Sequence, residues 1–395
     1  MYNNSFRRGG SRPARPAFRR NNSPKRGHGE FSDISKFINK AAPIAEAIAY
    51  VPKNLFADFA VDEKIKKNVA DKGYTHPTPI QDQTIPHILA GRDIVGIANT
   101  GTGKTAAFVI PLLDKINKDR KQKVMIVAPT RELAVQINQE LISFGFGMRI
   151  FSACCVGGAP IGRQMNDLRR SHNFVIGTPG RLKDLSERGC IRFADFQTIV
   201  LDEADRMLDM GFINDMRFLM SQMPEDHQTL FFSATLNSDI KRIINEFLID
   251  PVSISVKTGD TAKNVDQDVV YVKGAPKLEV LHDLLNQPEC NKVLIFGRTK
   301  HGVERLSINL ADRGFKVESI HGDKNQGQRQ RALNSFKNET VNVLVATDVA
   351  ARGLDIPDVS HVINYELPAT YEDYIHRIGR TGRGNKAGKA LTFID

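Results

Sequence analysis

No stretch of the chain approaches the roughly 18 consecutive apolar residues that a membrane-crossing helix needs, so a helical membrane protein is excluded and no membrane partner is expected. The start lacks the apolar run of a secretory signal. Cysteine is scarce. The four cysteines (Cys154, Cys155, Cys190 and Cys290) show no CxxC spacing, which argues against a zinc ribbon or a disulfide framework. They read as small buried hydrophobes in a reducing, cytoplasmic compartment. Acidic residues are almost missing from the first 30 positions, where Glu30 stands alone. What remains is ordinary for a globular protein: 395 residues, 41% hydrophobic and 25% charged. That length predicts two or three domains with room for two real cores.

The formal net charge is +10, and it is unevenly spread. Residues 1–30 carry Arg7, Arg8, Arg12, Arg15, Arg19, Arg20, Lys25 and Arg26 against Glu30, a balance of +7 that leaves +3 for the rest. The same stretch is rich in Gly, Pro, Ser and Asn and has too little apolar surface to offset chain entropy. It reads as a disordered basic arm. Arginines with interspersed Tyr2, Phe6 and Phe18 suit loose nucleic-acid binding, with a solubilising tail as the alternative. Gly9, Gly10, Pro13 and Pro16 spoil the amphipathic helix of a transit peptide.

Residues 31–53 read as a connecting segment, with Ile34, Phe37, Ile38, Ile44 and Ile48 as a small apolar stripe broken by Pro43. From about Phe56, apolar β-rich runs alternate with helix-like stretches. The first set is 93–98, 124–128, 174–176, 198–201 and 229–232; the second is 292–296, 316–320, 341–346, 362–364 and 390–394. Near-continuous apolar strands between helices predict parallel sheets covered on both faces, and two sets predict two α/β domains. The expected division is a first domain at 54–254, a polar linker at 255–266 and a second domain at 267–395.

Three motifs carry chemistry. Ala98-Asn99-Thr100-Gly101-Thr102-Gly103-Lys104-Thr105 follows a predicted strand and opens a predicted helix. Backbone N–H groups of such a glycine-rich turn point at phosphate oxygens. Lys104 would neutralise the β- and γ-phosphates, and Thr105 would offer its hydroxyl to Mg²⁺. The usual phosphate loop begins with Gly where this chain has Ala98. Further on, the strand Thr198–Leu201 ends in Asp202-Glu203-Ala204-Asp205. A carboxylate at a strand's carboxyl end lies beside the phosphate loop in this kind of sheet. Asp202 suits Mg²⁺, through water, and Glu203 suits a base that orients or deprotonates the attacking water. An acidic helix start is the plainer alternative. Finally, His376-Arg377-Ile378-Gly379-Arg380-Thr381-Gly382-Arg383 spaces arginines with small residues, as bidentate phosphate contacts require. A basic RNA-contacting or surface turn stays open as the alternative, for Arg377 in particular.

Read in order, the chain shows Gly73-Tyr74-Thr75-His76-Pro77-Thr78-Pro79-Ile80-Gln81, ANTGTGKT at 98–105, PTRELA at 129–134, Gly157-Gly158 and TPGR at 178–181. DEAD at 202–205 and SAT at 233–235 follow. The second half adds HGD at 321–323, ATD at 346–348 with ARGLD at 351–355, and HRIGRTGR at 376–383. This ordered set resembles the DEAD-box ATP-dependent RNA helicases from about Phe56 to Asp395. It does not cover residues 1–55.

The resemblance implies two tandem RecA-like domains, ATP and Mg²⁺ as cofactors, and RNA as the partner of a monomeric core. Under it, Gln81 resembles the adenine-reading glutamine, and Phe56, 17 residues before Gly73, the aromatic that stacks on the base; a packing staple is the alternative for Phe56. Asp355 resembles the carboxylate that reaches the ribose. Arg380 and Arg383 resemble arginine fingers, and Ser233 and Thr235 the coupling motif. Thr130, Arg131, Gly158, Thr178 and Arg181 in the first domain, with Arg298, Gly322, Arg329 and Thr347 in the second, resemble the RNA track. Hydroxyls, backbone amides and arginines suit phosphate and sugar contacts with little sequence preference. Thr178 and Gly180 have helix capping as their plainer alternative.

The implied activity is RNA-stimulated ATP hydrolysis that closes the two domains, separates short duplexes locally and remodels ribonucleoprotein. Rival readings are an ATP-gated RNA clamp, a DNA translocase and, less well matched, a small-molecule kinase. The chain ends at Phe393-Ile394-Asp395 on what reads as the last strand, where family members continue with at least another helix, so a fragment is one expectation.

Overall fold

The computed structural model describes residues 37–40, 50–99, 101–256, 265–351, 356, 358–382 and 388–394. The basic-arm expectation for 1–30 lies outside them, as do Ile34, Ile44 and Ile48 of the expected stripe. Of the remaining stripe residues, Phe37 is buried and Ile38 is 45% exposed.

Strands of the first sheet are β1 (Ile94–Ile97), β2 (Val124–Val127), β3 (Ser152–Cys155), β4 (Phe174–Gly177), β5 (Thr198–Leu201), β6 (Gln228–Ser233) and β7 (Val252–Ser255). The second sheet has β8 (Val265–Tyr271), β9 (Val293–Gly297), β10 (Val317–Ile320), β11 (Val343–Thr347), β12 (His361–Asn364) and β13 (Gly388–Ile394). Their orders are β3-β4-β2-β5-β6-β1-β7 and β10-β11-β9-β12-β13-β8, and every named pairing is parallel.

Parallel neighbours need long crossovers, and helices supply them. The first half has α1 (Glu63–Asp71), α2 (Pro79–Leu89), α3 (Lys104–Lys118), α4 (Arg131–Phe144), α5 (Ile161–Arg169), α6 (Pro179–Glu187), α7 (Ala204–Asp209), α8 (Ile213–Ser221) and α9 (Ser238–Phe247). The second has α10 (Lys277–Leu285), α11 (Lys300–Ala311), α12 (Gln326–Lys337), α13 (Asp348–Ala351) and α14 (Tyr371–Ile378). Each sheet buries an apolar cluster on both faces. Strand residues alternate between them: Ile94, Ile126 and Val200 face one cluster, and Val95, Met125 and Ile199 face the other. The second sheet divides Val293 and Ile295 from Leu294 and Phe296 in the same way. This is the two-domain α/β architecture expected from the alternating runs.

Three strands do not show as continuous apolar runs: β3, β7 and β8. All are edge strands, where one side meets solvent and polar residues are tolerated. For the same reason regular structure reaches into the polar segment 255–266 from both ends. Ser255 closes β7 opposite Ile97, and Val265 opens β8 opposite Gly388. Residues 257–264 lie outside the described residues.

Candidate nucleotide and nucleic-acid site

The first cluster forms at the carboxyl ends of β1, β5 and β6, which are neighbours in the sheet. The Ala98 N–H donates to Ser233 O at 3.0 Å, so the start of the glycine-rich turn is pinned to the end of β6. Gly103 caps α3 with φ +87°, and a Cβ there would collide with the Gln81 amide nitrogen. Glycine is therefore required twice over at this position. Thr102 Oγ1 donates to Asn99 O at 2.8 Å, and the buried Lys104 ammonium donates to Ala98 O at 2.8 Å. The turn is thus a ring of backbone with a cation folded into it. Thr105 sits in the first turn of α3. Thr100 lies outside the described residues.

Gln81 is fully buried at the start of α2. Its Oε1 accepts from Thr78 N–H at 2.9 Å, and its Nε2 donates to Gly103 O at 3.0 Å. Both ends of the carboxamide are engaged, yet one amide hydrogen and one lone pair remain for another partner. Phe56 is 7% exposed, with its ring edge-on to Phe59 (6.0 Å) and Tyr74 (6.2 Å). It packs as a staple of the first core.

Sequence reading missed Asp82. Its carboxylate accepts from Tyr50 OH (2.6 Å), Lys53 N–H (2.8 Å), Asn54 N–H (3.1 Å) and Asn54 Nδ2 (2.7 Å). Burial acts to raise this carboxyl, but the hydrogen bonds prevail and hold it below the usual carboxylate range. In sequence it looks like any acidic residue in a first helical turn.

At the end of β5, Asp202 and Glu203 are 2% and 5% exposed. Glu203 adopts φ +51°, a left-handed conformation that costs a non-glycine residue about 1 kcal/mol or more and that clusters at functional sites. This bend lets the Glu203 N–H donate to Asp202 Oδ1 at 3.0 Å. The Glu203 carboxylate accepts from Arg206 Nη1 at 2.8 Å, a pair only 7% and 3% exposed. Burial pushes the Asp202 carboxyl above the usual carboxylate range; the Lys104 ammonium opposes this and the neighbouring Glu203 carboxylate adds to it.

Asp205 faces the end of β6. Its Oδ2 accepts from Ala234 N–H (3.0 Å), Thr235 N–H (3.0 Å) and Thr235 Oγ1 (3.1 Å). Ser233 Oγ instead donates to Thr235 O at 2.8 Å. Of the two coupling-motif hydroxyls, that of Thr235 thus bonds the Asp205 carboxylate, while that of Ser233 shapes the turn.

The fit to Mg²⁺ rests on the donor set. Asp202 is a desolvated carboxylate and Thr105 a hydroxyl, both hard oxygen donors. Among the described residues no group of three or more His, Cys, Asp or Glu side chains is placed to hold a metal alone. A divalent ion here would take its other ligands from water and phosphate oxygens.

The second cluster lines a groove of about 500 Å³ that draws on both sheets. Thr130, Arg131, Thr178 and Arg181 come from the first domain, and Gly322 and Arg329 from the second. Thr130 caps α4 by accepting from Leu133 N–H at 3.3 Å. Thr178 is the N-cap of α6 but makes no side-chain capping bond. Arg181 Nη1 donates to Ala159 O (3.2 Å) and Gln164 Oε1 (2.9 Å). Gly158, at φ +72°, lies against the Arg131 guanidinium, where a Cβ would collide. Arg298 and Thr347 do not line this groove; the Arg298 N–H donates to Glu366 Oε2 at 2.5 Å.

Glu132, Met210, Phe212 and Val349 also line the groove, and sequence reading assigned them no role. Glu132 alone among them carries a signal in sequence, a carboxylate next to Arg131 in a basic motif. Arg329 Nε lies 3.0 Å from Glu132 Oε1.

In the second domain, Arg377 is 2% exposed. It forms a bidentate pair with Asp348 (2.6 and 2.7 Å), donates to Asn364 Oδ1 (3.1 Å) and Glu366 O (2.7 Å), and lies 5.0 Å over the Phe296 ring. The open alternative of an RNA-contacting or surface turn is thereby corrected for Arg377: all its hydrogen-bonding edges face the domain interior. Arg380, 3% exposed, shares a small depression with Asp348, Asp373 and His376. Asp355 and Arg383 lie outside the described residues. No helix among the described residues is long and apolar enough to cross a membrane.

Both halves of the chain match known proteins. Residues 78–243 match the DEAD/DEAH box helicase family model, and residues 276–385 match the helicase conserved C-terminal domain. The chain is 46% identical over 341 residues to the DEAD-box ATP-dependent RNA helicase CshA of Bacillus subtilis, covering 86% of this chain and 69% of that one. The CshA of Bacillus cereus is 45% identical, with 86% of this chain and 65% of that one covered. Among solved structures, Saccharomyces cerevisiae Dbp5 bound to RNA and ADP BeF3 superposes with a TM-score of 0.77 at 30% identity, covering 86% of this chain and 89% of that chain. A DEAD box protein from Methanococcus jannaschii gives a TM-score of 0.52 at 38% identity, covering 87% and 94%.

Proposed function

This chain belongs to the DEAD-box helicase family, and we propose that it is an RNA-stimulated ATPase that uses domain closure to separate short RNA duplexes and remodel ribonucleoprotein. The observation that carries this reading is the groove shared by Thr130, Arg131, Thr178 and Arg181 of one domain with Gly322 and Arg329 of the other. Its lining of hydroxyls, a backbone glycine and guanidinium groups suits a sugar–phosphate backbone rather than base edges. A strand bound there contacts both domains and so favours their juxtaposition.

ATP binds at the turn formed by Thr100, Gly101, Thr102, Gly103, Lys104 and Thr105. Lys104 leaves Ala98 O for the phosphates, and Gln81 uses its remaining donor and acceptor on adenine. Phe56 must present a ring face to stack on the base, which calls for a shift out of its staple packing. Thr105 and Asp202 would hold Mg²⁺, which would supply charge neutralisation at the phosphates. Glu203, oriented by Arg206, accepts a proton from the attacking water. Arg380 and Arg383 stabilise transition-state charge and Asp355 reaches the ribose, so hydrolysis requires the second domain. RNA and ATP both favour closure, and each therefore raises the affinity for the other. Thr235, bonded to Asp205, connects the ATP site with the interface. Arg298 and Thr347 extend the RNA track beyond the groove.

Residues 1–30 add sequence-tolerant RNA affinity through their +7 charge. Their deletion flattens the salt dependence of RNA binding, by up to about 0.7 in slope for each phosphate they neutralise; an unchanged slope leaves the solubilising tail. The core acts as a cytoplasmic monomer.

The deciding measurement is steady-state ATPase with and without single-stranded RNA, on the wild type and Glu203→Gln, followed by displacement of a short duplex strand. Strong RNA stimulation, at least about 100-fold lower in the variant while ATP-dependent RNA binding persists, is the expected result. Turnover without strand displacement would move the assignment to an ATP-gated clamp. Equal stimulation by DNA would move it to a DNA translocase.

A further inference from the structure

Residues 37–40 precede the first domain in sequence, yet their contacts are with the second. Phe37 is 1% exposed, and its ring meets the Tyr374 ring edge-on at 4.9 Å. Asn39 and Gln267 exchange both backbone hydrogen bonds, Asn39 N–H to Gln267 O at 3.0 Å and Gln267 N–H to Asn39 O at 2.8 Å. This forms an antiparallel bridge on β8, one of the two edge strands of the second sheet. Tyr374 OH donates to the Gln267 side-chain oxygen at 3.0 Å, so ring and strand are locked together beneath the segment. The Lys40 ammonium lies 3.7 Å from Asp266 and 4.0 Å from Asp268. An exposed pair of this kind sets register more than it adds affinity.

Only ten positions later the chain is fastened to the other domain. Tyr50, Lys53 and Asn54 supply the four hydrogen bonds to Asp82. Asp82 directly follows Gln81, the residue bonded to the phosphate-loop turn. One short segment is therefore anchored on α14, which carries Arg377 and ends two residues before Arg380, and on the helix that carries the adenine-reading candidate.

We infer that Phe37–Lys40 is an intramolecular strap, seated on the β8 edge and Tyr374, that favours the juxtaposed arrangement of the two domains. A fully extended stretch from residue 40 to residue 50 spans at most about 35 Å, so the two anchors stay within that reach while the strap is seated. The polar connection 257–264 already joins the domains once. A second tether raises the effective concentration of one domain at the other without adding a contact in the groove. In this structure the seated strap occurs together with the cross-domain pair of Glu132 and Arg329. The partner of this edge is the chain's own extended segment, recognised by a buried aromatic, a backbone bridge and a lysine facing two aspartates.

The inference rests on the two-domain ATPase reading above, and the test separates the two. Phe37→Asp puts a charge where a buried ring was, which would reduce seating at least about tenfold. Asn39→Pro removes the N–H that donates to Gln267. Neither residue lies in the ATP or RNA machinery or in a domain core. For each full-length variant, the RNA concentration for half-maximal ATPase is measured with the maximal rate, and amide exchange is followed in the peptide containing Gln267. The strap predicts a three- to tenfold higher half-saturating RNA concentration, a maximal rate within twofold of wild type, and weakened protection at Gln267 in both variants. An unchanged or lowered half-saturation would overturn it, as would retained protection at Gln267. Inactive wild type would instead sink the ATPase reading.

Discussion

Arg329 of α12 and Glu132 of α4 meet at 3.0 Å across the boundary between the two sheets, and both are almost removed from water, with side chains 10% and 2% exposed. Burial lowers the guanidinium's proton affinity, Glu132 restores part of it, and nearby Arg131 opposes that gain. The two atoms are in ion-pair range without hydrogen-bond alignment. The pair therefore stabilises juxtaposition mainly by charge, and only while the domains are together.

Removing one member leaves the other charge buried and alone, which commonly costs about 3–5 kcal/mol. Glu132→Ala and Arg329→Ala should each weaken ATP-dependent RNA binding at least tenfold. The double variant should be milder than the two single effects summed, giving a coupling energy of about 1 kcal/mol or more. Strict additivity in that cycle would mean the pair does not form in the working state.

Thr235 shares one carboxylate oxygen of Asp205 with two backbone N–H groups. Thr235→Ala deletes the hydroxyl donor and leaves both backbone bonds. Maximal RNA-stimulated ATPase should stay within about threefold of wild type, while duplex separation falls by tenfold or more. A parallel loss of both activities would place Thr235 in hydrolysis rather than coupling.

Arg377 ties α14 to Asp348 of α13 and to Asn364 at the end of β12. Arg377→Ala should destabilise the second domain by about 3–5 kcal/mol, since it strands Asp348 and removes the cation above Phe296. Lysine should rescue poorly, because a point charge cannot replace a bidentate fork. Thermal or urea unfolding of the variants checks both statements; a stable variant with weak RNA binding would restore Arg377 to the RNA track.

Glu304 accepts from Ser319 Oγ at 2.5 Å and pairs with His321 Nε2 at 3.0 Å and Lys324 at 3.4 Å. The Ser319 hydrogen bond, with help from His321 and Lys324, brings its carboxyl down to about 2. A depressed folded-state value means stability present above the unfolded value of about 4.3 and lost as pH falls from there toward 2. The melting-temperature gap between wild type and Glu304→Gln should be full at pH 6 and should close between about pH 4.3 and 2. A gap that ignores pH would remove the carboxylate from this network.

The alternation of short apolar runs with helical stretches determined, from sequence alone, that there would be two parallel sheets covered on both faces. Strands buried on both sides must be apolar throughout, so they announce themselves. The glycine-rich turn before α3 was legible for a similar reason: Gly101, Gly103, Lys104 and Thr105, the residues proposed to cradle phosphate, occupy closely spaced local positions. Local chemistry leaves local patterns.

Only the tertiary structure decided what is non-local. Edge strands β3, β7 and β8 carry polar residues on their open side and do not stand out. Arg377 and Arg380 look alike in sequence, yet Asp348, 29 positions upstream, takes the first as an internal brace. Asp82 becomes an anchor because Tyr50, Lys53 and Asn54 return to it, and Phe37 becomes a buried contact because β8 offers an open edge more than 220 residues away. Such roles depend on which chain segments the folded sheets bring together, and no short-range periodicity encodes that.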